Sequence, residues 1–214
     1  MKGKKKGFMM KKGFSLVEML VVMGIIAVLV GAGLAGYTAS TRKAQKSRGQ
    51  ELVNNVATAL ELIYQEDGCW PRRILAEGQS DGELTPEIAY DLAKRKKMTL
   101  TIDTQNEQNH RTVGIDRMGV VTPWATAVIK RAGTGSVGDS TKVSTGGTIK
   151  DHRLHFAVDT EGRGYVRASV GGESVEIRGA AAVWCCGMDG KLEPYSKGLR
   201  SDDIYSWGRG QVRK

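Results

Sequence analysis

The residues whose types could do chemistry are few, and their spacing argues against catalysis. His152, His155 and Asp159 could be drawn as a metal cluster, but two histidines three positions apart on a strand point to opposite faces. No Ser/His/Asp set, phosphate-binding glycine loop or pair of carboxylates occurs in a coherent context. The sequence therefore predicts a protein that is not an enzyme and has no catalytic residue.

Glu18 is the residue that most needs an explanation. It lies inside an apolar run from Phe14 to Gly36, whose 23 residues would form a helix of about 35 Å, enough to cross a hydrocarbon core of roughly 30 Å. A carboxylate at mid-membrane costs about 2.5 to 3.5 kcal/mol, and less near the end of a span. The sequence therefore predicts a transmembrane segment at residues 14–36 and a partner for Glu18.

The junction before this run reads Lys-Lys-Gly-Phe-Ser-Leu-Val-Glu, and Gly13 separates the cationic leader from the apolar residues. A secretory signal peptide is instead cut beyond its apolar region. The junction resembles the class III signal of type IV pilins and of the pseudopilins of type II secretion systems. This resemblance implies that a prepilin peptidase cuts after Gly13 and methylates Phe14. It also implies that Glu18 pairs with the Phe14 amine of a neighbouring subunit during assembly.

The formal net charge of +9 is concentrated at the N-terminus. Residues 1–13 contain six of the 32 basic residues and no acid, so 26 basic residues face 23 acidic ones after cleavage, a net charge of +3. This is weak evidence for a nucleic-acid partner, and none is expected. The leader lysines predict instead that the N-terminus stays in the cytoplasm and that the chain after Tyr37 crosses the membrane.

A single long helix is predicted from about Phe14 to about Glu66, because no proline interrupts this stretch. At about 1.5 Å per residue it spans roughly 80 Å. Residues 14–36 form its transmembrane half, and residues 37–66 are predicted to pack on a globular head. The packing face is an apolar row at helical spacing, formed by Val53, Ala57, Leu60 and Tyr64.

The head, residues 67–214, is predicted to hold a connector followed by an antiparallel sheet. Thr85 and Pro86 begin a short helix that reaches the basic cluster at 94–97. Patterns of alternation and glycine-rich turns predict the remaining elements. These are strands at 98–103, 112–121, 174–178 and 180–186, a mobile loop at 132–147, and a hairpin whose turn is at 159–164. The pilin resemblance implies the same α+β fold, a long helix on an antiparallel sheet.

Three cysteines, Cys69, Cys185 and Cys186, would reach an oxidising compartment, where a disulfide can persist. Three cysteines can form one disulfide and leave one free thiol. Their spacing in the sequence alone does not distinguish Cys69–Cys185 from Cys69–Cys186. Neither a C-x-x-C motif nor interleaved histidines indicate a zinc site.

The C-terminus carries a second resemblance. The stretches Trp-Cys-Cys-Gly-Met-Asp-Gly-Lys at 184–191 and Ser-Asp-Asp-Ile-Tyr-Ser-Trp at 201–207 resemble the calcium-binding end of major pseudopilins. This resemblance implies a Ca²⁺ site formed by Asp189, Asp202 and Asp203 with backbone carbonyls, which are the hard oxygen ligands that calcium prefers. The alternative is a solvated acidic turn.

These observations favour a structural subunit of a type II secretion pseudopilus, which polymerises through its N-terminal helix to drive protein export. The alternatives are a type IV pilin used for adhesion, motility or DNA uptake, and a monomeric membrane-anchored binding domain or enzyme of the envelope. The expected partners are pilin-like subunits, the prepilin peptidase, an inner-membrane secretion or pilus assembly platform, and membrane lipid. The expected location is the inner membrane, crossed once, with the head in the periplasm.

Overall fold

The computed structural model describes residues 15–95, 120–125, 142–143, 146–148, 150–196 and 202–213. Some of the predicted features therefore lie outside the described residues. They are the leader at 1–13, the processing site at Gly13 and Phe14, the strand at 98–103, and most of the segments 112–121 and 132–147.

A single helix, α1, runs from Leu16 to Asp67 and contains 52 residues, which confirms the predicted long helix. Gly68 ends it with a φ of 66°, and the Gly68 N–H donates to the Tyr64 carbonyl at 2.9 Å. A residue in the left-handed region is typical of helix C-termini, and glycine adopts it without strain. The antiparallel sheets follow this helix in the chain.

The chain divides into two compact units, and the division falls between Ala44 and Gln45 inside α1. In the first unit the large apolar side chains from Leu16 to Val30 are exposed. Within the described residues, no helix combines the length and the apolar content needed to cross a membrane. The transmembrane segment expected at residues 14–36 therefore stays a prediction.

In the second unit α1 packs one face on the head. The predicted apolar row lies on this face: Val53, Ala57 and Leu60 are buried, and Tyr64 packs partly buried against the same core. The spacing places these residues on one side of the helix, where they exclude water together. The prediction that this part of α1 packs on the head is confirmed for these residues.

Two short helices follow α1. They are α2, Arg72–Glu77, where the sequence predicted only an irregular connector, and α3, Pro86–Lys94. Helix α3 begins as predicted, with Thr85 at the N-cap position and Pro86 in the first turn, although the Thr85 side chain makes no capping hydrogen bond. Proline suits this position because its missing N–H would have no helical partner there.

The described residues contain seven strands in two antiparallel sheets, where the sequence predicted one sheet. In chain order they are β1 (Gly82–Glu83), β2 (His155–Val158), β3 (Tyr165–Val170), β4 (Glu173–Arg178), β5 (Ala181–Cys185), β6 (Ile204–Tyr205) and β7 (Val212–Arg213). The first sheet has the order β1-β2-β5-β6, and the second has the order β3-β4-β7.

The hairpin predicted around residues 159–164 is wrong. Strand β2 pairs with β5, so β2 and β3 belong to different sheets. The Asp159 carboxylate accepts the Gly164 N–H at 2.6 Å and stabilises a turn that carries the chain from one sheet to the other. The hairpin instead joins β3 to β4 through Gly171 and Gly172, whose positive φ angles suit a two-residue turn of this kind.

Two hydrophobic cores result from this arrangement. The first lies between the helices and the first sheet and includes Leu60 and Phe156. The second lies between the two sheets, where Ile177 packs with Trp184. Strand β5 is buried along its whole length because alternate residues, such as Val183 and Trp184, contribute to different cores.

Candidate functional site

The first turn of α1 carries a reciprocal hydrogen-bonded cap. The Glu18 carboxylate accepts the Ser15 backbone N–H at 2.8 Å, and the Ser15 hydroxyl accepts the Glu18 backbone N–H at 3.4 Å. The Ser15 carbonyl accepts the Met19 N–H and so begins the helical ladder. This is a capping box, which satisfies two donors that the first turn of a helix leaves without helical partners.

Glu18 therefore has a hydrogen-bond partner within its own chain. The cost of its charge predicts a partner, which the resemblance places on a neighbouring subunit. The Ser-x-x-Glu spacing, a signal present in the sequence, identifies a partner three residues away in the same chain. Gly13 and Phe14, to which the resemblance assigns cleavage, methylation and pairing with Glu18, lie outside the described residues. The pairing between subunits stays a prediction.

An exposed apolar surface continues from this cap along α1. Its large side chains, from Leu16 to Val30, range in exposure from 47% for Val22 to 82% for Leu16. Glu18 is the only charged residue between Ser15 and Thr41. Monomeric soluble proteins rarely expose a contiguous apolar patch larger than roughly 300 to 600 Å², and larger patches mark contacts with proteins or membranes.

Two adjacent carboxylates hold the loop formed by residues 187–193. Asp203 is buried, and its two oxygens accept the backbone N–H groups of Gly187 at 2.8 Å and Glu193 at 2.9 Å. Asp202 accepts the Met188 N–H at 2.7 Å. The structure thus brings two of the three aspartates of the predicted calcium site to the same loop, where they bind its two ends.

Glycine is required at position 187 of this loop. The Asp202 carboxylate occupies the space that a Cβ atom at Gly187 would take. The third aspartate, Asp189, lies within the loop and accepts the Lys191 N–H at 3.0 Å. Close packing and hydrogen bonds to backbone N–H groups therefore define the loop.

The described residues do not present a calcium site. No group of three or more histidine, cysteine, aspartate or glutamate side chains among them is placed to hold a metal ion. Asp189, Asp202 and Asp203 each accept a backbone N–H, which is the kind of donor that a cation would replace. As arranged, this donor set does not fit a calcium ion, and calcium binding stays a prediction of the resemblance.

A buried polar cluster surrounds His152, and no sequence pattern pointed to it. The His152 Nε2 lies 2.7 Å from the Gly146 carbonyl oxygen, so this nitrogen carries the proton. Its Nδ1 then accepts from the Thr122 hydroxyl at 3.1 Å and from the Cys186 thiol at 3.4 Å. The neutral ring therefore connects three segments that are distant in the sequence.

The surroundings of this cluster favour neutral groups. Burial lowers the pKa of His152, and the hydrogen bond to Gly146 and the carboxylates of Asp151 and Asp189 oppose this only in part. Burial also raises the pKa of the Cys186 thiol, to which nearby carboxylates contribute. The thiol therefore stays protonated and acts as a donor to the ring.

The other members of the metal cluster considered from the sequence have separate partners. His155 lies 2.7 Å from the Asp81 carboxylate through Nδ1 and stacks on the Trp184 ring at 5.9 Å. Asp159 accepts backbone N–H groups of its own turn. His152, His155 and Asp159 thus play structural roles in this arrangement, as the sequence favoured.

The predicted disulfide is absent, because Cys69, Cys185 and Cys186 are all free thiols. Cys69 is exposed on the turn after α1. Cys185 packs in the first core, and Cys186 contacts the buried His152. Cys69 therefore lies at the surface, whereas the other two thiols lie in the interior. The spacing of the cysteines in the sequence does not show which of them are buried and which are exposed.

Comparison with known proteins places the N-terminus in a defined class. The family model described as the prokaryotic N-terminal methylation motif matches residues 4–34. This range includes the junction at Gly13 and Phe14 and the capped, apolar first part of α1. No solved structure matches the chain significantly.

Curated proteins that resemble the chain are pilins and related proteins. The type IV major pilin protein PilE of Neisseria gonorrhoeae is 32% identical over 63 residues, 29% of this chain and 38% of the pilin. A fimbrial protein of Neisseria meningitidis is 26% identical over 102 residues, 47% of this chain and 60% of the relative. The chain spans less than half of the length of the gonococcal pilin.

A third relative is covered almost completely. The ComG operon protein 3 homolog of Bacillus licheniformis is 32% identical over 92 residues, which make up 42% of this chain and 93% of the relative. The long N-terminal helix followed by antiparallel sheets is the architecture that the N-terminal motif led us to expect. The chain belongs to the type IV pilin-like proteins that carry a class III signal at the N-terminus.

Proposed function

We propose that this protein is a subunit of a pilin-like fibre, in which the first part of α1 packs against the same helix of neighbouring subunits. The observation that carries this proposal is the exposed apolar surface from Leu16 to Val30, which coincides with the methylation motif. The relatives bear the names of pilins and fimbrial proteins, which supports a structural role over an enzymatic one.

Removing this apolar surface from water lowers the free energy of the protein. Burial of a leucine or valine side chain contributes about 1.5 to 3 kcal/mol, and Leu16, Leu20 and Val28 are each exposed by more than 65%. Nothing lies within 4 Å of the positions that a Cβ atom would take at Gly24 and Gly31, so a second helix can approach closely there. Lipid covers the surface before assembly, and neighbouring helices cover it in the fibre.

The proposed pathway begins in the inner membrane. Residues 14–36 cross it once, the leader lysines hold the N-terminus in the cytoplasm, and the head lies in the periplasm. A prepilin peptidase then cuts after Gly13 and methylates Phe14, as the class III signal implies. An assembly platform in the same membrane adds the processed subunit to the fibre.

Glu18 has two partners in this proposal, Ser15 of its own chain and the Phe14 amine of a neighbouring subunit. A carboxylate has about four acceptor sites, and the Ser15 N–H uses one of them. The amine neutralises the charge in apolar surroundings, where an unpaired carboxylate is strongly unfavourable. Because only one alignment of the two helices forms this pair, Glu18 also sets the register of assembly.

Two kinds of fibre are candidates. The resemblance of the C-terminus to major pseudopilins favours a type II secretion pseudopilus that drives protein export. Calcium binding by Asp189, Asp202 and Asp203 would support this candidate further, although these residues as arranged do not fit the ion. The names of the relatives, type IV pilins and a ComG operon protein, favour a type IV pilus used for adhesion, motility or DNA uptake.

The test of assembly compares Glu18→Ala with Glu51→Ala, which removes an exposed glutamate farther along α1. We expect Glu18→Ala to reach the membrane fraction but to be missing from fibres sheared from cells, because the Phe14 amine loses its partner. The Glu51→Ala protein should assemble normally. Normal amounts of Glu18→Ala in the fibres would contradict the proposed pairing.

Deletion of the gene distinguishes a type II secretion pseudopilus from a type IV pilus. Loss of a secreted protein from the medium with unchanged surface pili would identify a pseudopilus. Loss of surface pili with unchanged secretion would identify a type IV pilus. If neither changes and the protein stays monomeric in the membrane, it is an anchored binding domain or enzyme and the fibre proposal is wrong.

A further inference from the structure

A run of positive charge follows the apolar part of α1. It is called the basic segment here and contains four cations in seven consecutive positions, namely Arg42, Lys43, Lys46 and Arg48. No acidic residue occurs between Glu18 and Glu51, a stretch of 32 residues. The stretch therefore has a net charge of +4, all of it in the basic segment.

The cations of the basic segment are accessible and have no anionic partner in their own chain. All four residues are exposed. None of them forms an ion pair with a residue that the structure describes, whereas exposed arginines of the head, such as Arg163 and Arg167, each pair with a glutamate. The basic segment can therefore bind an anion from outside the chain without breaking an internal pair.

Tyr37 lies at the boundary between the apolar run and the basic segment. It is 69% exposed and directly follows the apolar run that ends at Gly36. Tyrosine is enriched where a transmembrane helix leaves the hydrocarbon core, because its ring is apolar and its hydroxyl is polar. The order of apolar run, tyrosine and cations is therefore the order of layers at a membrane surface.

The length of the helix brings the first cations to the level of lipid headgroups. At about 1.5 Å per residue, Arg42 lies about 9 Å beyond Gly36 along α1. The polar layer on each side of the hydrocarbon core is about 5 to 8 Å thick. Arginine and lysine have long side chains that reach back toward this layer, so Arg42 and Lys43 can contact the phosphates there.

We propose that the basic segment binds the headgroups of anionic phospholipids and so fixes the depth of α1 in the membrane before the subunit enters the fibre. This inference rests on the proposed insertion of α1 into the membrane. Guanidinium and ammonium groups donate strong hydrogen bonds to phosphate oxygens. A cluster of such groups beside a membrane helix is also attracted to anionic lipid over about one Debye length.

The sequence around the basic segment favours lipid over nucleic acid, although both ligands carry phosphates. No aromatic residue occurs from Thr38 to Gln50, so the segment has no ring on which a base could stack. The apolar surface that precedes it, from Leu16 to Val30, is exposed and needs an apolar cover. A phospholipid supplies that cover and the anionic headgroup together.

The test captures the lipid that lies beside the basic segment. The full chain is reconstituted in vesicles of equal amounts of phosphatidylglycerol and phosphatidylcholine, with a photoreactive amino acid in place of Ala44, which is exposed between Lys43 and Lys46. Mass spectrometry identifies the adducts. We expect phosphatidylglycerol to exceed phosphatidylcholine about threefold or more in the adducts, and the excess to fall in 1 M salt.

The same probe at Leu20 separates failure of this inference from failure of the proposed function. Leu20 lies in the apolar run, where acyl chains are the expected neighbours, so it should capture both lipids about equally. Equal capture at Ala44 as well would overturn the binding of anionic lipid and leave membrane insertion intact. Absence of lipid adducts at Leu20 would contradict the proposed insertion itself. Adducts at Ala44 with a second copy of the chain in place of lipid would assign the basic segment to a protein partner and overturn the inference.

Variants that each remove two charges locate the binding. Arg42→Gln with Lys43→Gln should reduce the excess of phosphatidylglycerol at Ala44 by about half or more, because these cations lie nearest to the headgroups. Glutamine retains a high helix propensity, so α1 should persist. Lys46→Gln with Arg48→Gln should have a smaller effect, because these residues follow farther along the chain.

A matched control removes two charges from the head. Lys142 and Lys191 are exposed and, among the described residues, have no ion pair. Lys142→Gln with Lys191→Gln should leave the ratio of the two lipids at Ala44 unchanged. A loss equal to that of the Arg42 and Lys43 variant would show that the overall charge of the protein, and not the basic segment, attracts the lipid.

Discussion

The two parts of α1 are alike in their apolar residues and opposite in their surroundings. From Leu16 to Val30 the apolar side chains are exposed, whereas from Val53 to Ile63 the head covers them. The covered part is apolar on one face only, and Asn54 faces solvent. The exposed part is apolar on all sides, a pattern typical of helices surrounded by protein or lipid. Folding of the chain thus buries one part, and we propose that assembly buries the other.

The largest expected effect is a difference in stability between variants of the two parts of α1. Leu60→Ala removes a fully buried side chain and should lower the free energy of unfolding of the head by about 2 to 5 kcal/mol. Leu20→Ala removes an exposed one and should leave the head unchanged. Thermal melts of the full chain in detergent measure both. Equal losses would contradict the difference in burial.

Glycines on the two parts of α1 differ in the space around them. A Cβ atom at Gly49 would lie 2.7 Å from the Ile204 Cδ1 and 3.2 Å from the Trp124 ring, whereas nothing lies within 4 Å at Gly31. Gly49→Leu should therefore cost about 1 to 3 kcal/mol through overpacking. Gly31→Leu should not lower the melting temperature of the head, because leucine favours a helix more than glycine does. An equal fall in both variants would show that the contacts around Gly49 are not the cause.

Helices were the most predictable part of the fold. The boundaries of α1 and the start of α3 follow from local signals, namely the absence of proline before Gly68 and the Thr85–Pro86 pair. Strands β4 and β5 coincide closely with the predicted segments 174–178 and 180–186, because alternation of apolar residues is also local.

Pairing of strands was less predictable, because it depends on contacts between distant residues. The glycine-rich turn at 159–164 looks like a hairpin, yet β2 finds its partner in β5. Strands β6 and β7 have two residues each, too short for any alternation. The partners of site residues also depend on distant contacts. Asp202 and Asp203 do bind the same loop, as predicted, but the sequence could not show that their partners are backbone N–H groups.

A smaller effect should appear on acidification. Because burial lowers the pKa of His152 in the folded protein, the folded state favours the neutral ring more than the unfolded chain does. Stability should therefore fall as the pH drops below the unfolded pKa of about 6.5. His152→Gln should melt at a lower temperature at neutral pH but with a weaker dependence on pH. Identical pH profiles for the two proteins would exclude His152 as the source.

The smallest expected effect is that of calcium. Hydrogen bonds to Asp202 and Asp203 already hold the loop at 187–193, so millimolar Ca²⁺ in place of EDTA should leave the melting temperature of the full chain unchanged. A site with an affinity of about 10 µM would instead add about 2.7 kcal/mol at 1 mM Ca²⁺. A stabilisation of that size, lost in Asp202→Ala, would support the calcium site and contradict the metal-free loop.

Photo-crosslinking from Leu20 measures whether other copies of α1 cover the exposed apolar surface. Leu20 is 67% exposed and lies two residues beyond Glu18. A photoreactive amino acid at this position, activated in assembling cells, should produce covalent adducts between copies of the chain. These adducts should disappear when Glu18→Ala is added. Adducts with lipid alone would show that other copies of α1 do not cover this surface, and adducts between copies that persist without Glu18 would show that Glu18 does not direct assembly.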